Sequence, residues 1–337
     1  MKKIKRFLKI IITVIVLFLL WQILSLGFEF LSLTKYNGED INFQIEKGSY
    51  ASDVANSLED KGIIKSKYTF LARHKLFASD KSVYHGTHTI KNGMTLGDIL
   101  KEMTTMTEAD DTITFTIPEG YSIEMIARKA EDEGICAYDE FIGATNPENY
   151  DYEFIKYIPE KDYIHKLEGY LFPSTYEFFR DDSAYNIINK MLAAFETEYK
   201  KYFSTYDNMA EVVTIASMVE REAALEEESA RISGVIVNRL EKNMLLQIDA
   251  TVVYVKSEGR YDIPNLLYKD LEVSSPYNTY KISGLPLGPI CNPGVKSLLA
   301  AASPEEHQWL YYHTDEKKAD GSHIFTKTFD EHIATMR

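Results

Sequence analysis

The longest apolar stretch of the chain, residues 10–28, is interrupted only by Thr13, Gln22, Ser25 and Gly27. As a helix this stretch is about 28 Å long, which is close to the hydrocarbon thickness of a bilayer. A cleaved signal peptide normally has a shorter apolar region that ends at small residues, whereas the residues around Phe28 are bulky. The pattern therefore predicts an uncleaved transmembrane anchor at residues 10–30.

Positive charge precedes this anchor. The charged residues among the first nine are all basic: Lys2, Lys3, Lys5, Arg6 and Lys9. Short basic flanks of membrane helices stay on the cytoplasmic side. We therefore expect residues 1–9 to form a cytoplasmic tail and the chain beyond the anchor to lie outside the cytoplasm, with the membrane crossed once.

After the anchor, a pattern of strand, glycine turn and helix recurs with an offset of 72 residues. Residues 43–64 match residues 115–136 at eight positions. In each copy an alternating strand pattern leads through a glycine to a helix with apolar residues at three- and four-residue spacing, and the helix stops at a second glycine. In the first copy the predicted helix is Ala51–Asp60, with Val54, Ala55 and Leu58 on its buried face. A fainter copy follows at residues 89–96.

These patterns predict an α+β fold in two parts. Residues 39–106 resemble the LysM-like module, a small fold associated with glycan binding. The alternative is a spacer, because strand, turn and helix units are common in α+β domains. An acidic, Thr-rich stretch at residues 104–112 predicts a link to a larger domain, residues 111–337, whose entry subdomain at 111–160 contains the second copy.

Composition and charge disfavour several classes of function. The net charge of −14 argues against a nucleic-acid-binding protein, because phosphate contacts need clustered basic residues. Cys136 and Cys291 have neither metal-ligand spacing nor the pattern of a disulfide framework, and we expect both to be buried or partly buried. The eight histidines lack HExxH or comparable spacing. We therefore expect no metal ion and no other cofactor.

Glu220 extends an apolar segment at a position where a carboxylate is not expected. Residues 212–219 are mostly apolar and predict a buried helix at about 210–225. On that helix small residues would leave room beside the carboxyl group: Ala216, Ala223 and Ala224. Partial desolvation favours the protonated form of a carboxyl group, which is the form that a glycosidic general acid needs. The alternative is a glutamate at a helix end that faces water.

Two other acidic positions follow closely in sequence. Glu222 lies about 200° further round the predicted helix and is expected to be solvated or paired. Residues 226–228 form an acidic run, for which a solvent-exposed face is expected. Neither position is predicted to carry the chemistry.

Seven blocks in the second half of the chain resemble the endolytic peptidoglycan transglycosylase family, the MltG or YceG-like family. They are residues 167–173, 216–222, 238–240, 246–252, 277–280, 284–290 and 292–294. Ordered blocks over about 170 residues rarely match by chance, and the resemblance extends to the anchor and the LysM-like module. It implies a bacterial cell-wall enzyme of the cytoplasmic membrane with Glu220 as its catalytic residue.

The resemblance also implies a mechanism. Lytic transglycosylases of this kind cleave the bond after N-acetylmuramic acid and use the C6 hydroxyl of that sugar as nucleophile, leaving a 1,6-anhydro end. One carboxyl group can then act first as acid and afterwards as base. On this interpretation no second catalytic carboxylate is required.

Polar residues in the same blocks are the predicted substrate contacts. They are Gln247, Asn238, Tyr277, Asn278, Tyr280, Glu168 and Asp249. Neutral amides and phenols can hold acetamido groups without competing for the proton. For the amides and tyrosines, bracing of loops is an equal alternative, and for Glu168 a structural role is at least as well favoured. Arg239 could bind a peptide carboxylate or form a surface ion pair.

The expected substrate is nascent peptidoglycan, because an anchored enzyme works close to the membrane, where its action would end strand growth. Cell-wall synthases (penicillin-binding proteins) are expected partners on the same grounds. Two alternatives stay open: a non-catalytic glycan-binding scaffold, and a conventional peptidoglycan hydrolase that uses two carboxylates.

Overall fold

The structure is a computed structural model that describes residues 2–46, 49–78, 83–105, 112–179 and 182–336. It is a mixed α+β protein whose described strands pair into three antiparallel two-stranded sheets. The chain divides into two units, one of residues 1–111 with 181–186 and the other of residues 112–180 with 187–337. Much of the predicted link at 104–112 lies outside the described residues.

The first unit begins with the predicted anchor helix. Its elements are α1 (Lys2–Phe30), β1 (Ile41–Ile45), α2 (Ala51–Asp60), α3 (Lys67–Phe77), β2 (Gly86–Ile90) and α4 (Leu96–Met103). Within the described residues, Ile12–Phe30 is the stretch of helix long and apolar enough to cross a membrane, with a mean hydropathy of 2.0. Most of the large apolar side chains described in this stretch are exposed, as a lipid-facing helix requires.

A small apolar core holds the rest of this unit together. β1 and β2 pair antiparallel from Ile41 opposite Ile90 to Ile45 opposite Gly86. The predicted helix α2 is confirmed with its predicted bounds, and Val54, Ala55 and Leu58 are buried as expected. These residues pack with side chains from the sheet and from α3 and α4: Phe43, Phe70, Ile90, Ile99 and Met103.

The end of α1 is bound tightly to α3. The buried Glu29 carboxylate accepts hydrogen bonds from the Lys65 amide at 2.5 Å and the Thr69 hydroxyl at 2.7 Å. Arg73 donates to the Phe30 carbonyl at 2.5 Å. Further along the chain, the Ser32 hydroxyl accepts from the Gly97 amide at 2.8 Å. The anchor helix therefore enters the first unit as a packed element.

The second unit contains more elements. They are β3 (Thr112–Thr116), α5 (Ile123–Asp132), α6 (Tyr138–Ala144), β4 (Thr175–Phe179), most of α7 (Ala184–Glu198), α8 (Met209–Glu222), α9 (Ser229–Glu241), α10 (Asp249–Lys256), α11 (Val295–Ala302), β5 (Tyr311–Thr314), β6 (His323–Thr326) and α12 (Phe329–Thr335). A π-helical turn at Tyr199–Phe203 follows α7. Short 3₁₀ turns lie at Pro147–Asn149, Glu153–Tyr157, Glu226–Glu228 and Tyr268–Glu272. β3 pairs with β4 and β5 with β6.

The 72-residue repeat is visible in three dimensions. α5 begins and ends 72 residues after α2, and each helix ends at a glycine with φ of +67°, Gly62 or Gly134. In both copies the amide two residues beyond the C-cap donates a hydrogen bond to a carbonyl of the last helical turn. Ile63 donates to the Leu58 carbonyl at 2.9 Å, and Ile135 donates to the Ala130 carbonyl at 2.8 Å. A left-handed glycine makes this closure possible, so the sequence match reflects a shared helix end.

Helix α8 forms the centre of the second unit. Every residue of α8 from Val212 to Val219 is buried, and the helix packs against α9, α10 and α11. The long apolar run is therefore a core helix, as predicted.

Candidate active site

Glu220 lies where α8 leaves the core. Val219 is fully buried, whereas Glu220 is only half-buried, so its carboxyl group reaches the surface from a rigid base. The helix ends two residues later, where the Ala223 amide donates to the Val219 carbonyl at 2.8 Å and Ala223 turns to extended backbone. The expected continuation to residue 225 is therefore wrong. Of the predicted alanine neighbours, only Ala216 lies on the helix.

The N-terminus of α11 faces Glu220. The amide of Gly294, the N-cap residue of that helix, donates to Oε2 of Glu220 at 3.1 Å. An amide at a helix N-terminus is a hydrogen-bond donor suited to a carboxyl group.

A second carboxyl group, that of Glu119, meets the same glycine. A Cβ at Gly294 would overlap the Glu119 carboxyl group. Since the Gly294 amide also lies 3.1 Å from Glu220, covalent geometry places the two carboxyl groups within about 8 Å of each other. Burial, followed by the charge of Glu220, raises the pKa of Glu119 above its usual value, and the charge of Lys296 opposes this shift.

The sequence analysis did not single out Glu119. It precedes the glycine of the second repeat copy, and the matching position of the first copy is Lys47. The available signal was the difference in charge between the copies, with a carboxylate in one and a lysine in the other. Residues that only maintain the repeated fold have no reason to differ in charge.

Ser217 holds the loop that leads to Gly294. Its hydroxyl accepts from the Ile290 amide at 3.1 Å, and the Cys291 thiol donates to its carbonyl at 3.3 Å. Asn292 then exchanges backbone bonds with the Glu119 loop: its carbonyl accepts from Gly120 at 3.0 Å and its amide donates to Tyr121 at 2.8 Å. Both loops are thereby fixed to α8.

Glu168 is buried and contacts Asn292, the residue that joins these two loops. Its carboxylate accepts from the Ile123 amide at the start of α5 at 3.0 Å, from the Tyr254 hydroxyl at 3.0 Å and from the Asn292 side chain at 3.0 Å. Burial raises its pKa to about 8, although each of these hydrogen bonds opposes the shift. With an exposure of 1%, the side chain fits the structural role that the sequence analysis kept open.

A second polar cluster surrounds Glu222. The Tyr312 hydroxyl donates to Glu222 at 2.9 Å, and the Tyr280 hydroxyl donates to the exposed Asp249 at 2.5 Å. Burial raises the pKa of Glu222, the bond from Tyr312 opposes this shift, and the charge of Asp249 adds to it. Glu222 is therefore paired with a phenol.

Gln247 lies just before α10 with an unusual backbone. It is exposed and has φ of +54°, a left-handed conformation that is uncommon for residues other than glycine. Its amide is held by the Thr279 carbonyl at 3.1 Å. Strained backbone of this kind occurs often at functional sites.

The other predicted contacts point into loops. The Asn278 side chain is fully buried and donates to the carbonyls of Leu271 and Val273 at 2.9 and 2.7 Å. Tyr277 is also buried. The Asn238 side chain donates to the carbonyls of His307 and Trp309, both at 3.0 Å. Of the two alternatives given for Asn278 and Asn238, these contacts fit the bracing of loops.

Arg239 also contacts backbone. It donates to the carbonyls of Leu310 and Leu246, both at 2.6 Å, and its guanidinium lies over the Tyr311 ring. Neither a peptide carboxylate nor a surface ion pair is needed to explain its position.

Glu228 contradicts the predicted solvent-exposed acidic run. Glu226 and Glu227 are exposed, but Glu228 is only 4% exposed. Its carboxylate accepts from the His323 amide at 3.0 Å and from the His323 ring at 2.7 Å. The expectation is wrong at this residue because β6, distant in sequence, covers it.

Cys136 is half-buried and Cys291 is buried, as expected. Among the described residues no group of three or more His, Cys, Asp or Glu side chains is arranged to hold a metal ion.

Comparison with known proteins adds a family. The model of the YceG-like family matches residues 43–337. The chain is 32% identical over 308 residues to a Bacillus subtilis protein named endolytic murein transglycosylase, covering 87% of this chain and 82% of that protein. A Streptococcus pneumoniae protein of the same name is 30% identical over 298 residues, and there the match covers 80% of this chain and 53% of the relative. A crystal structure of a putative yceG-like protein from Listeria monocytogenes superimposes with a TM-score of 0.57 at 33% identity, covering 88% of this chain and 99% of that one.

Proposed function

The chain belongs to the YceG-like family, and on that premise we propose that it is a lytic transglycosylase that cleaves peptidoglycan strands endolytically, with Glu220 as its catalytic residue. The observation that carries the proposal is the position of Glu220, which combines a buried helix behind the carboxyl group, partial exposure in front of it and the Gly294 amide at 3.1 Å. Support for the substrate comes from the relatives that are named murein transglycosylases.

Glu220 performs two proton transfers in this proposal. It first protonates the glycosidic oxygen that follows N-acetylmuramic acid, and the bond from C1 to that oxygen breaks. The Gly294 amide then stabilises the carboxylate that remains. The C6 hydroxyl of the same sugar attacks C1 and returns its proton to Glu220, which leaves a 1,6-anhydro end and consumes no water.

Substrate contacts follow from exposure. Gln247 and Asp249 are exposed, and the half-buried Tyr280 donates its hydroxyl to Asp249. We assign these three to the sugar. The Gln247 amide and the Tyr280 phenol can hold acetamido and hydroxyl groups without supplying a competing acid, and the Asp249 carboxyl group can accept hydrogen bonds from sugar hydroxyls.

The proposal includes a location. The apolar helix of Ile12–Phe30 and the basic residues before it support an anchor in a bacterial cytoplasmic membrane, with the chain beyond the anchor on the outer side. In this arrangement residues 39–106 serve as a LysM-like glycan-binding module, residues 111–337 form the catalytic domain, nascent strands are the substrate, and cell-wall synthases are neighbours. Cleavage there ends strand growth.

The decisive experiment measures product mass. The full chain, solubilised in detergent, is incubated with purified glycan strands, and the new ends are analysed by mass spectrometry. We expect 1,6-anhydro ends, and we expect Glu220→Gln, which keeps the shape of the side chain but removes its proton, to lose at least about 100-fold in rate. Glu211→Gln, on the exposed first turn of the same helix, is the matched control. Full activity of Glu220→Gln would refute the catalytic assignment and favour a binding scaffold.

A conventional hydrolase is the second candidate, and the nearness of Glu119 to Glu220 favours it. Two carboxyl groups within about 8 Å also suit a hydrolytic mechanism. Hydrolysis adds one water for each bond cleaved, so new N-acetylmuramic acid ends heavier by one water than 1,6-anhydro ends would select this candidate.

A further inference from the structure

The surface of the first unit beside the end of α1 is both apolar and basic. We propose that this surface, formed by α3 and the residues directly after α1, lies in the headgroup layer of the membrane, with its apolar side chains against lipid and its cations on anionic phospholipid headgroups. This inference rests on the membrane location given under the proposed function and adds to it a second lipid contact in the first unit.

Exposed apolar side chains are concentrated at this surface. Beyond α1, the described part of the first unit exposes six large apolar side chains. One of them, Tyr50, is the N-cap residue of α2. The other five lie directly after α1 or on α3, and they are Leu31, Leu33, Tyr68, Leu76 and Phe77. Apolar side chains that are exposed together, rather than singly, mark a contact surface.

Helix geometry places part of this set in one stripe. Tyr68, Ala72 and Leu76 are exposed and four residues apart, so they line one side of α3. Thr69 and Arg73, which bind the end of α1, each follow one position later. The stripe therefore borders the side of α3 that contacts the membrane helix.

Contacts with α1 set the depth of α3. The Lys65 ammonium group, just before α3, donates to the Ser25 hydroxyl at 2.9 Å. Ser25 lies inside the predicted membrane span, about 8 Å before the end of α1. At the other end of α3, the Phe77 ring lies 6.3 Å from the ring of Phe30, the last residue of α1. Both ends of α3 are therefore held beside the last two turns of α1, where the hydrocarbon layer gives way to headgroups.

The charge of this segment fits an anionic lipid surface. Residues 61–78 contain five Lys or Arg residues and no Asp or Glu, in a chain with a net charge of −14. Cations lie over both exposed rings of α3: Lys67 is 5.6 Å from the ring centre of Tyr68, and Arg73 is 4.9 Å from that of Phe77. Aromatic and basic side chains together are typical of helices that lie in the membrane interface.

The test measures contact between tryptophan reporters and lipid. The full chain is reconstituted into vesicles with brominated acyl chains, which quench tryptophan on contact, made from phosphatidylcholine alone or from an equal mixture with phosphatidylglycerol. Trp309→Phe leaves Trp21 of α1 as the single tryptophan. Trp21→Phe together with Trp309→Phe and Tyr68→Trp moves the reporter to α3. Tyr50→Trp in the same background is the matched control, because Tyr50 is an exposed tyrosine of the same unit away from α3.

We expect the reporter at position 68 to be quenched several-fold more strongly than the reporter at position 50. Quenching at position 68 should be stronger in the vesicles with phosphatidylglycerol, and added salt should reduce that difference, because salt screens the attraction between cations and headgroups.

Two results overturn the inference. Equal quenching at positions 68 and 50 would assign the apolar stripe to a protein partner, and equal quenching at position 68 in the two kinds of vesicle would remove the role of the cations. The proposed location fails separately, because its mark is a Trp21 that the brominated lipids do not quench. Glycan cleavage by Glu220 depends on neither outcome.

Discussion

The buried carboxyl group of Glu168 makes the stability of the folded protein depend on pH. Its pKa is about 8 in the folded chain, against an ordinary value of 4.5. Between these values the unfolded chain is ionised at this residue while the folded chain keeps the proton. The unfolded state then binds fewer protons, so the free energy of unfolding falls as pH rises from about 4.5 to about 8.

The size of the effect follows from the shift. One pKa unit corresponds to about 1.4 kcal/mol, so ionisation of Glu168 costs the folded state at most about 5 kcal/mol across this range. Substitution by glutamine removes that term. The glutamine oxygen can still accept from Ile123 and Asn292, and its amide can donate to the Tyr254 hydroxyl, which replaces the bond of the protonated acid.

The assay is the melting temperature of the detergent-solubilised full chain from pH 5 to pH 8. We expect wild type and Glu168→Gln to melt at similar temperatures at pH 5. At pH 8 the variant should melt higher by roughly 10 °C, because 1 kcal/mol corresponds to about 2–4 °C in a chain of this size. Glu148→Gln, an exposed site, should follow wild type at both pH values. Parallel melting curves for wild type and Glu168→Gln would refute the reasoning.

Three further outcomes are expected. Gly294→Ala forces the Glu119 carboxyl group away and should reduce kcat about tenfold or more with little change in melting temperature; unchanged kcat contradicts the close contact. Tyr280→Phe removes the bond to Asp249 and should raise KM several-fold with kcat nearly constant, whereas a KM equal to wild type argues against a sugar contact. Glu29→Ala removes two buried hydrogen bonds and should destabilise the first unit by about 1–3 kcal/mol, measured as faster amide exchange in α3; unaltered exchange would show that the contact is unimportant.

Local features of the fold could be predicted from sequence. The bounds of α2 follow from apolar spacing and a terminal glycine, and the repeat pointed to α5. The apolar run before Glu220 predicted a core helix, although its end at Glu222 depends on the extended backbone of Ala223, which spacing does not encode. These signals lie within a few turns of the chain and need no knowledge of tertiary contacts.

Tertiary contacts decided the rest. Glu119 lies in the loop before α5, far from Glu220 in the sequence. Composition gives no sign that the two carboxyl groups interact in the folded chain. Glu228 is covered by His323, 95 residues later. Asn278 has the chemistry of a sugar contact, but its amide is already bound to nearby carbonyls. Residue type identifies what a side chain can bind, whereas the packed neighbours determine what it does bind.

In the proposed membrane location, the junction between α1 and α3 gives α1 a second role. Hydrogen bonds of Glu29 and Arg73 hold the end of α1 to α3. A rotation of α1 about its own axis would therefore rotate the rest of the first unit by the same angle. An unrelated membrane helix of equal length that lacks Glu29 would still tether the chain but would leave the unit free to swivel. In the proposed arrangement, α1 therefore sets the orientation of the first unit as well as its location.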